Sequence, residues 1–158
     1  MKRLKKGFTL IELLVVIAII GILATTLAPK LREQLAKAKD SKAVALLGAA
    51  RTAAQVIVVD EMISSTSNDA INVTVDELKA KLDKKSGELM NANAEIAIGG
   101  SRPGSGGKLE YGGTVALATS GTAIGTDFDV TDDDVSIELV NKKAANTHST
   151  EDKEWAKY

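Results

Sequence analysis

The chain has 158 residues, no cysteine, and 21 Asp and Glu against 20 Lys and Arg, a formal net charge of −1. Four of those cations, Lys2, Arg3, Lys5 and Lys6, sit in the first six residues; without them 16 basic residues face 21 acidic ones, a net of −5. That balance argues against strong nucleic-acid binding by the rest of the chain, and the lack of cysteine rules out disulfide staples.

The first element is the short basic stretch Met1-Lys2-Arg3-Leu4-Lys5-Lys6, followed by Gly7 and an apolar run from Phe8 to Ala28. Those 21 residues measure roughly 32 Å as an α-helix, about the thickness of a bilayer core. Leu13 to Ala24 is uninterrupted and apolar on every side. A soluble protein of this length has little core in which to bury such a helix all round, so the run reads as a membrane-spanning or anchoring helix. Three membrane readings compete: a secretory signal peptide, a plain single-pass anchor, and a leader cut on its cytoplasmic side at Gly7. The signal-peptide reading is poorly served, because Thr26-Leu27-Ala28 is followed by Pro29, whose fixed φ and missing N–H suit such a cut badly. Cations flank both ends of the run, so charge alone does not orient it.

The motif Lys5-Lys6-Gly7-Phe8-Thr9-Leu10-Ile11-Glu12-Leu13 resembles the processing site of type IV pilins, with the short leader of the type IVa class. Type II secretion pseudopilins share the site. The resemblance covers about the first 30 residues, including Pro29, which is similar to the helix-interrupting proline of many pilins. It implies cleavage after Gly7 by a prepilin peptidase and N-methylation of Phe8. It also implies a precursor in the lipid of the inner or cytoplasmic membrane with its leader in the cytoplasm. Copies of the chain would then join, with the pilus assembly machinery, into a helical extracellular filament. Motility, adhesion and DNA uptake are the family's uses for such a fibre. The chain departs from the many pilins that carry a C-terminal disulfide loop, so some other fastener, or none, holds its C-terminus. A pseudopilin of a secretion or competence system would show the same N-terminal features. From a different class, a single-pass anchored protein with a ligand-binding head fits the apolar run but not the motif.

Glu12 is the only formal charge in the run. A carboxylate costs roughly 2.5–3.5 kcal/mol at the centre of a membrane helix on insertion scales. Glu12 lies only about 6 Å along the axis from Phe8, where a lone subunit still reaches the headgroup zone. In a filament core it would be desolvated and would need a partner. Cleavage after Gly7 supplies one, the α-amino group of Phe8, within one helix or between neighbours. A pair between neighbours would fix the stagger of helices that apolar packing lets slide. On this reading Glu12→Ala inserts normally and assembles badly. Gly21 and Pro29 are candidate helix breaks that would let the anchor bend; alternatively Pro29 marks the membrane boundary.

Beyond Pro29, Leu31, Leu35, Ala38, Leu46, Ala49, Ala53 and Val56 recur near the helical period. One helix is expected to about Met62, with Arg51 and Gln55 on a polar stripe. Ser64 to Asp69 is a polar breaker. Thr74-Val75-Asp76-Glu77 reads as a capping box that opens a short helix ending near Ser86-Gly87. Alternation at Glu95–Ile98, Val115–Leu117 and Val135–Leu139 predicts three or four antiparallel strands. Gly99 to Gly107 reads as a loop; it lacks the Gly-Lys-Ser/Thr ending of a phosphate cradle. The tail from Ser149 to Tyr158 is polar and expected to be mobile, with Trp155 and Tyr158 as the residues able to pack.

The expected organisation is a leader at 1–7, a transmembrane or filament-core helix at 8–28, its continuation at 29–62, and a globular head at 63–158. The class is α+β, with the long helix against a small antiparallel sheet. Besides that glycine loop, one constellation is a candidate for chemistry. Asp127, Asp129, Asp132, Asp133 and Asp134 suit a hard cation such as calcium, and major pseudopilins can carry a calcium site near the C-terminus. Asp132 stands where an EF-hand needs glycine, so the choice is between a calcium site of another kind and a solvated acidic turn. Otherwise no cofactor is expected. His148, the only histidine, has neither cysteine partners nor a nucleophile relay, which argues against a catalytic triad and an enzyme.

Overall fold

A computed structural model describes residues 7–64, 71–119, 122–123, 127–130 and 136–158. The chain divides into two compact units, Met1–Gln34 and Leu35–Tyr158. Helix α1, Leu10–Ser64, is 55 residues long and contributes to both. Helix α1 runs through both Gly21 and Pro29, the one long helix that the sequence predicts. Each of these residues weakens the helix locally. The hydroxyls of Thr25 and Thr26 donate back to the carbonyls of Ile22 (2.8 Å) and Leu23 (2.9 Å), which satisfies polar groups inside an otherwise apolar run.

In the second unit, α1 buries Ala36, Asp40, Ala43, Leu46, Leu47, Ala50, Ala53, Ala54, Ile57 and Val58, spaced three or four apart as one helix face requires. Alanines along this face let other backbone come close. The core around it gathers Val73, Val75, Leu78, Ile96, Ile98, Val115, Leu117, Ile137, Leu139 and Trp155. The class is α+β, as the sequence predicts.

The strands are shorter and more numerous than three or four. Among the described residues they are β1 (Ile71–Thr74), β2 (Glu95–Ala97), β3 (Gly100–Arg102), β4 (Glu110–Tyr111), β5 (Thr114–Thr119), β6 (Thr122–Ala123), β7 (Asp127–Val130), β8 (Glu138–Asn141) and β9 (His148–Ser149). They form three antiparallel sheets. In the first, β5 is central and pairs with β2, β6 and β8. In the second, β3 lies between β4 and β9. The third is the pair β1 and β7. Part of the expected glycine loop is therefore strand β3. The predicted strand Val135–Leu139 is displaced to Glu138–Asn141, Val135 lying outside the described residues. The polar breaker after Ser64 lies there too.

Helix α2 (Val75–Lys81) starts as predicted. Thr74 Oγ1 accepts from the Glu77 N–H at 3.2 Å and Glu77 Oε2 accepts from the Thr74 N–H at 3.0 Å. Removing the hydroxyl with Thr74→Ala is expected to cost about 1 kcal/mol of stability, read from the unfolding midpoint of the head. The helix does not continue to Gly87, because Leu82 is extended and Asp83 caps a separate turn, α3 (Lys84–Gly87).

The C-terminal segment is not a mobile tail. Ser149, Thr150 and Trp155 are at most 1% exposed, β9 pairs with β3, and a 3₁₀ turn covers Trp155–Lys157. Hydrogen bonds from Gly106 N–H and the Ser105 hydroxyl hold the Asp152 carboxyl below its usual range. Bonds from Thr74 do the same for Glu77, and Lys142 and Lys143 for Glu95 and Glu110. A carboxyl whose pKa falls on folding stabilises the fold only while ionised, and that contribution fades as pH drops past its unfolded value. The head's thermal midpoint is therefore expected to hold above about pH 4.5 and to decline steadily from there to pH 3.

Candidate assembly site at the start of the long helix

Gly7 is exposed, and a Cβ added to it would meet nothing within 4 Å. Phe8 beside it is 83% exposed. The cleavage position read from the sequence is thus exposed chain immediately ahead of a helix.

The helix itself is fixed by a device that the sequence reading missed. Thr9 stands at its N-cap position and Glu12 at the third helical residue. Glu12 Oε2 accepts from the Thr9 N–H at 2.8 Å and from the Thr9 hydroxyl at 2.9 Å. The Glu12 N–H in turn donates to Thr9 Oγ1 at 3.3 Å. This is the capping box of Thr74 and Glu77 over again, the same Thr-x-x-Glu spacing. The signal is present in Thr9-Leu10-Ile11-Glu12. Two consequences follow. The carboxylate sits at the helix end where the macrodipole favours a negative charge. It is also hydrogen-bonded, not bare, although hydrogen bonds leave its charge in place. In the uncut chain the Phe8 nitrogen is a peptide amide, so an ammonium for Glu12 arises only when the bond after Gly7 is broken.

The rest of the first unit's helix presents its apolar side chains outward. Leu10, Ile11, Leu13, Leu14, Val15, Val16, Ile17, Ile19, Ile20, Ile22, Leu23 and Leu27 are all between 46% and 81% exposed. The segment is long and apolar enough to cross a membrane. Exposed apolar surface on this scale marks contact with lipid or with other chains.

The same outward character returns in the second unit. Between Lys42 and Asp60 the only charged residue is Arg51. Its guanidinium does not lie on a solvent stripe: Nε donates to the Ile137 carbonyl at 2.7 Å and Nη1 to the Tyr158 carbonyl at 2.8 Å. The exposed face is left with Ala45, Gly48, Thr52, Gln55, Val56 and Val59, over four turns without a charge. An ordinary surface helix carries charges there.

The other candidates fall in the second unit. Asp127 and Asp129 lie in strand β7, in register with Thr74 and Asn72. Asp132, Asp133 and Asp134 lie outside the described residues. Among the described residues no group of three metal-ligating side chains occurs. His148 Nδ1 is 2.8 Å from the Thr147 hydroxyl.

Comparison with known proteins converges on the same stretch. The family model described as the prokaryotic N-terminal methylation motif matches residues 2–28. A type IV major fimbrial protein FimA of Dichelobacter nodosus is 34% identical over 125 residues, covering 76% of this chain and 72% of the relative. A fimbrial protein of Pseudomonas aeruginosa is 40% identical over 67 residues, 41% of this chain and 44% of the relative. A type IV major alpha-pilin of Moraxella bovis is 37% identical over 83 residues, 49% and 52% of the two chains. No solved structure matches. The motif at the helix start, and a relative matched across most of both chains, together place this chain in the type IV pilin family.

Proposed function

We propose that the chain is the structural subunit of an extracellular type IV pilus. A prepilin peptidase cuts the membrane-anchored precursor after Gly7, and Phe8 becomes the N-methylated first residue. The helix then leaves the lipid and packs against the helices of other copies. The observation that carries this reading is the stretch of α1 from Leu10 to Leu27, whose large apolar side chains are all exposed, capped at Thr9 and preceded at once by the open Gly7-Phe8 bond. Burial of apolar surface against like helices replaces the lipid contacts, and the charge pair of Glu12 with the Phe8 ammonium sets the stagger. Similarity to major fimbrial subunits favours the pilus over a secretion pseudopilus.

Mass spectrometry of the native N-terminus tests this. A chain beginning with methylated Phe8 is the expected result; an intact Met1, or a start near Pro29, rejects it. Electron microscopy of material sheared from the cell surface should then show abundant fibres.

The uncharged outer face of α1 gives a second prediction. Gly48 has open space around it, so substitutions there do not disturb the head. Gly48→Ala is expected to raise the head's stability by up to about 1 kcal/mol, through helix propensity. Gly48→Glu leaves the head folded but puts a carboxylate where another helix must pack. Burying an unpaired charge costs several kcal/mol, and each 1.4 kcal/mol is tenfold in an equilibrium. Sheared fibre is therefore expected to fall at least tenfold, while membrane-bound subunit stays at its usual level.

A further inference from the structure

We infer that Asp40 and Arg51 form a non-covalent clasp that locks the C-terminal segment, residues 137–158, onto α1 in a chain that has no cysteine to do so. The inference concerns the second unit alone and does not depend on the filament reading.

The two residues are eleven apart, three helical turns or about 17 Å, which returns them to within roughly 20° of the same direction around the helix. They therefore share a face, and it is the face turned to the head. Asp40 is 4% exposed. Its two oxygens serve different parts of the chain. Oδ1 accepts from the N–H groups of Gly99 (2.8 Å) and Gly100 (3.3 Å). Oδ2 accepts from the N–H of Thr150 at 2.9 Å, across 110 residues. Arg51 does the converse and grips carbonyls, those of Ile137 and Tyr158. A negative charge thus holds a backbone donor inside the segment, at Thr150, and a positive charge holds acceptors at its two ends, Ile137 and Tyr158. Hydrogen bonds to ionised groups are about twice as strong as neutral ones. A buried charge that loses its partners is costly, so each end of the clasp opposes release. Between the two grips, Trp155 is buried and packs on Tyr158, ring centroids 5.7 Å apart.

The division of labour on Asp40 makes the clasp testable. In Asp40→Asn the amide oxygen can still accept from Gly99 and Gly100. Its NH₂ then faces the Thr150 N–H, donor against donor. Hydrogen–deuterium exchange on the full chain in detergent micelles would follow three segments: 146–158, 95–102 and 43–58. For Asp40→Asn, exchange in 146–158 is expected to speed up at least tenfold, with the other two segments within threefold of the parent. Arg51→Met should loosen the same C-terminal segment from its other grip, again with 95–102 little changed. Parental exchange in 146–158 in both variants overturns the clasp. Equal loss of protection in all three segments in either variant also overturns it, since a clasp acts locally.

Discussion

Gly99→Ala is expected to lower the thermal midpoint of the head by 10 °C or more. The reason is the closeness of two backbones. A Cβ built on Gly99 would lie 2.1 Å from the Ala36 carbonyl oxygen, 2.3 Å from its Cα and 2.5 Å from its carbonyl carbon. Ordinary carbon contacts begin near 3.5 Å. The obstacle is helix backbone, which cannot swing aside as a side chain would, and Ala36 is itself buried. The methyl therefore has to lift the 99–100 segment off the helix. That movement pulls the Gly99 N–H from Asp40 (2.8 Å) and strains the bond from Gly112 N–H to the Gly99 carbonyl (2.7 Å). Overpacking costs typically 1–3 kcal/mol and sometimes more. Orphaning a bond to a buried charge adds to it. A combined cost of about 3 kcal/mol is a large part of the 5–15 kcal/mol that holds a domain together, and it translates into a shift of this size for a head of about 120 residues. Circular dichroism melts of the two chains decide it. A shift under 3 °C would show that the segment can rise off Ala36 at little cost.

The sequence discloses features whose partners are near in the chain, and hides those whose partners are far. The apolar run of α1 and the capping box at Thr74 are local. Every bond in that box spans three residues, so Thr-x-x-Glu suffices to predict it. Thr9 and Glu12 carry the same pattern and are equally legible, although a lone carboxylate in an apolar helix also suggests a charge partner. Strand β3 is the opposite case. Gly100-Ser101-Arg102, followed by proline and more glycine, has turn composition, and only its neighbours at 110–111 and 148–149 make it a strand. The tail is misread for the same reason. Residues 149–158 look soluble because their polar groups dominate, yet Thr150 N–H goes to Asp40 and Asp152 reaches back to Gly106, 110 and 46 residues away. Arg51 reads from the sequence as part of a polar stripe, because its carbonyl partners lie 86 and 107 residues along the chain. Of the candidate site, Gly7, Phe8 and Glu12 could be read from a short motif, whereas the clasp at Asp40 could not.

Glu12 now has two partners to tell apart, Thr9 in the uncut chain and the ammonium that cleavage would create at Phe8, and three variants separate them. Glu12→Ala removes both interactions and is expected to insert in the membrane and form almost no fibre. Glu12→Gln keeps an acceptor for Thr9, since glutamine also closes a capping box, but it has no charge to offer an ammonium. Thr9→Val keeps the charge and the Thr9-position backbone N–H but loses the hydroxyl. If the pair with the Phe8 ammonium sets the stagger, Gln fails nearly as badly as Ala. Removing one member of a buried ion pair costs 3–5 kcal/mol, about a hundredfold or more in assembly, while the loss of one cap hydroxyl costs about 1 kcal/mol and thins the fibre only several-fold. Sheared fibre measured against subunit in the membrane fraction gives the ranking directly. Near-normal fibre from Glu12→Gln would instead make the cap the whole purpose of the carboxylate, because a neutral side chain satisfies Thr9 and cannot hold a cation. The order of the variants is informative even if every one of them inserts equally well, since insertion asks only that the helix be apolar, whereas assembly asks that the charge find its partner.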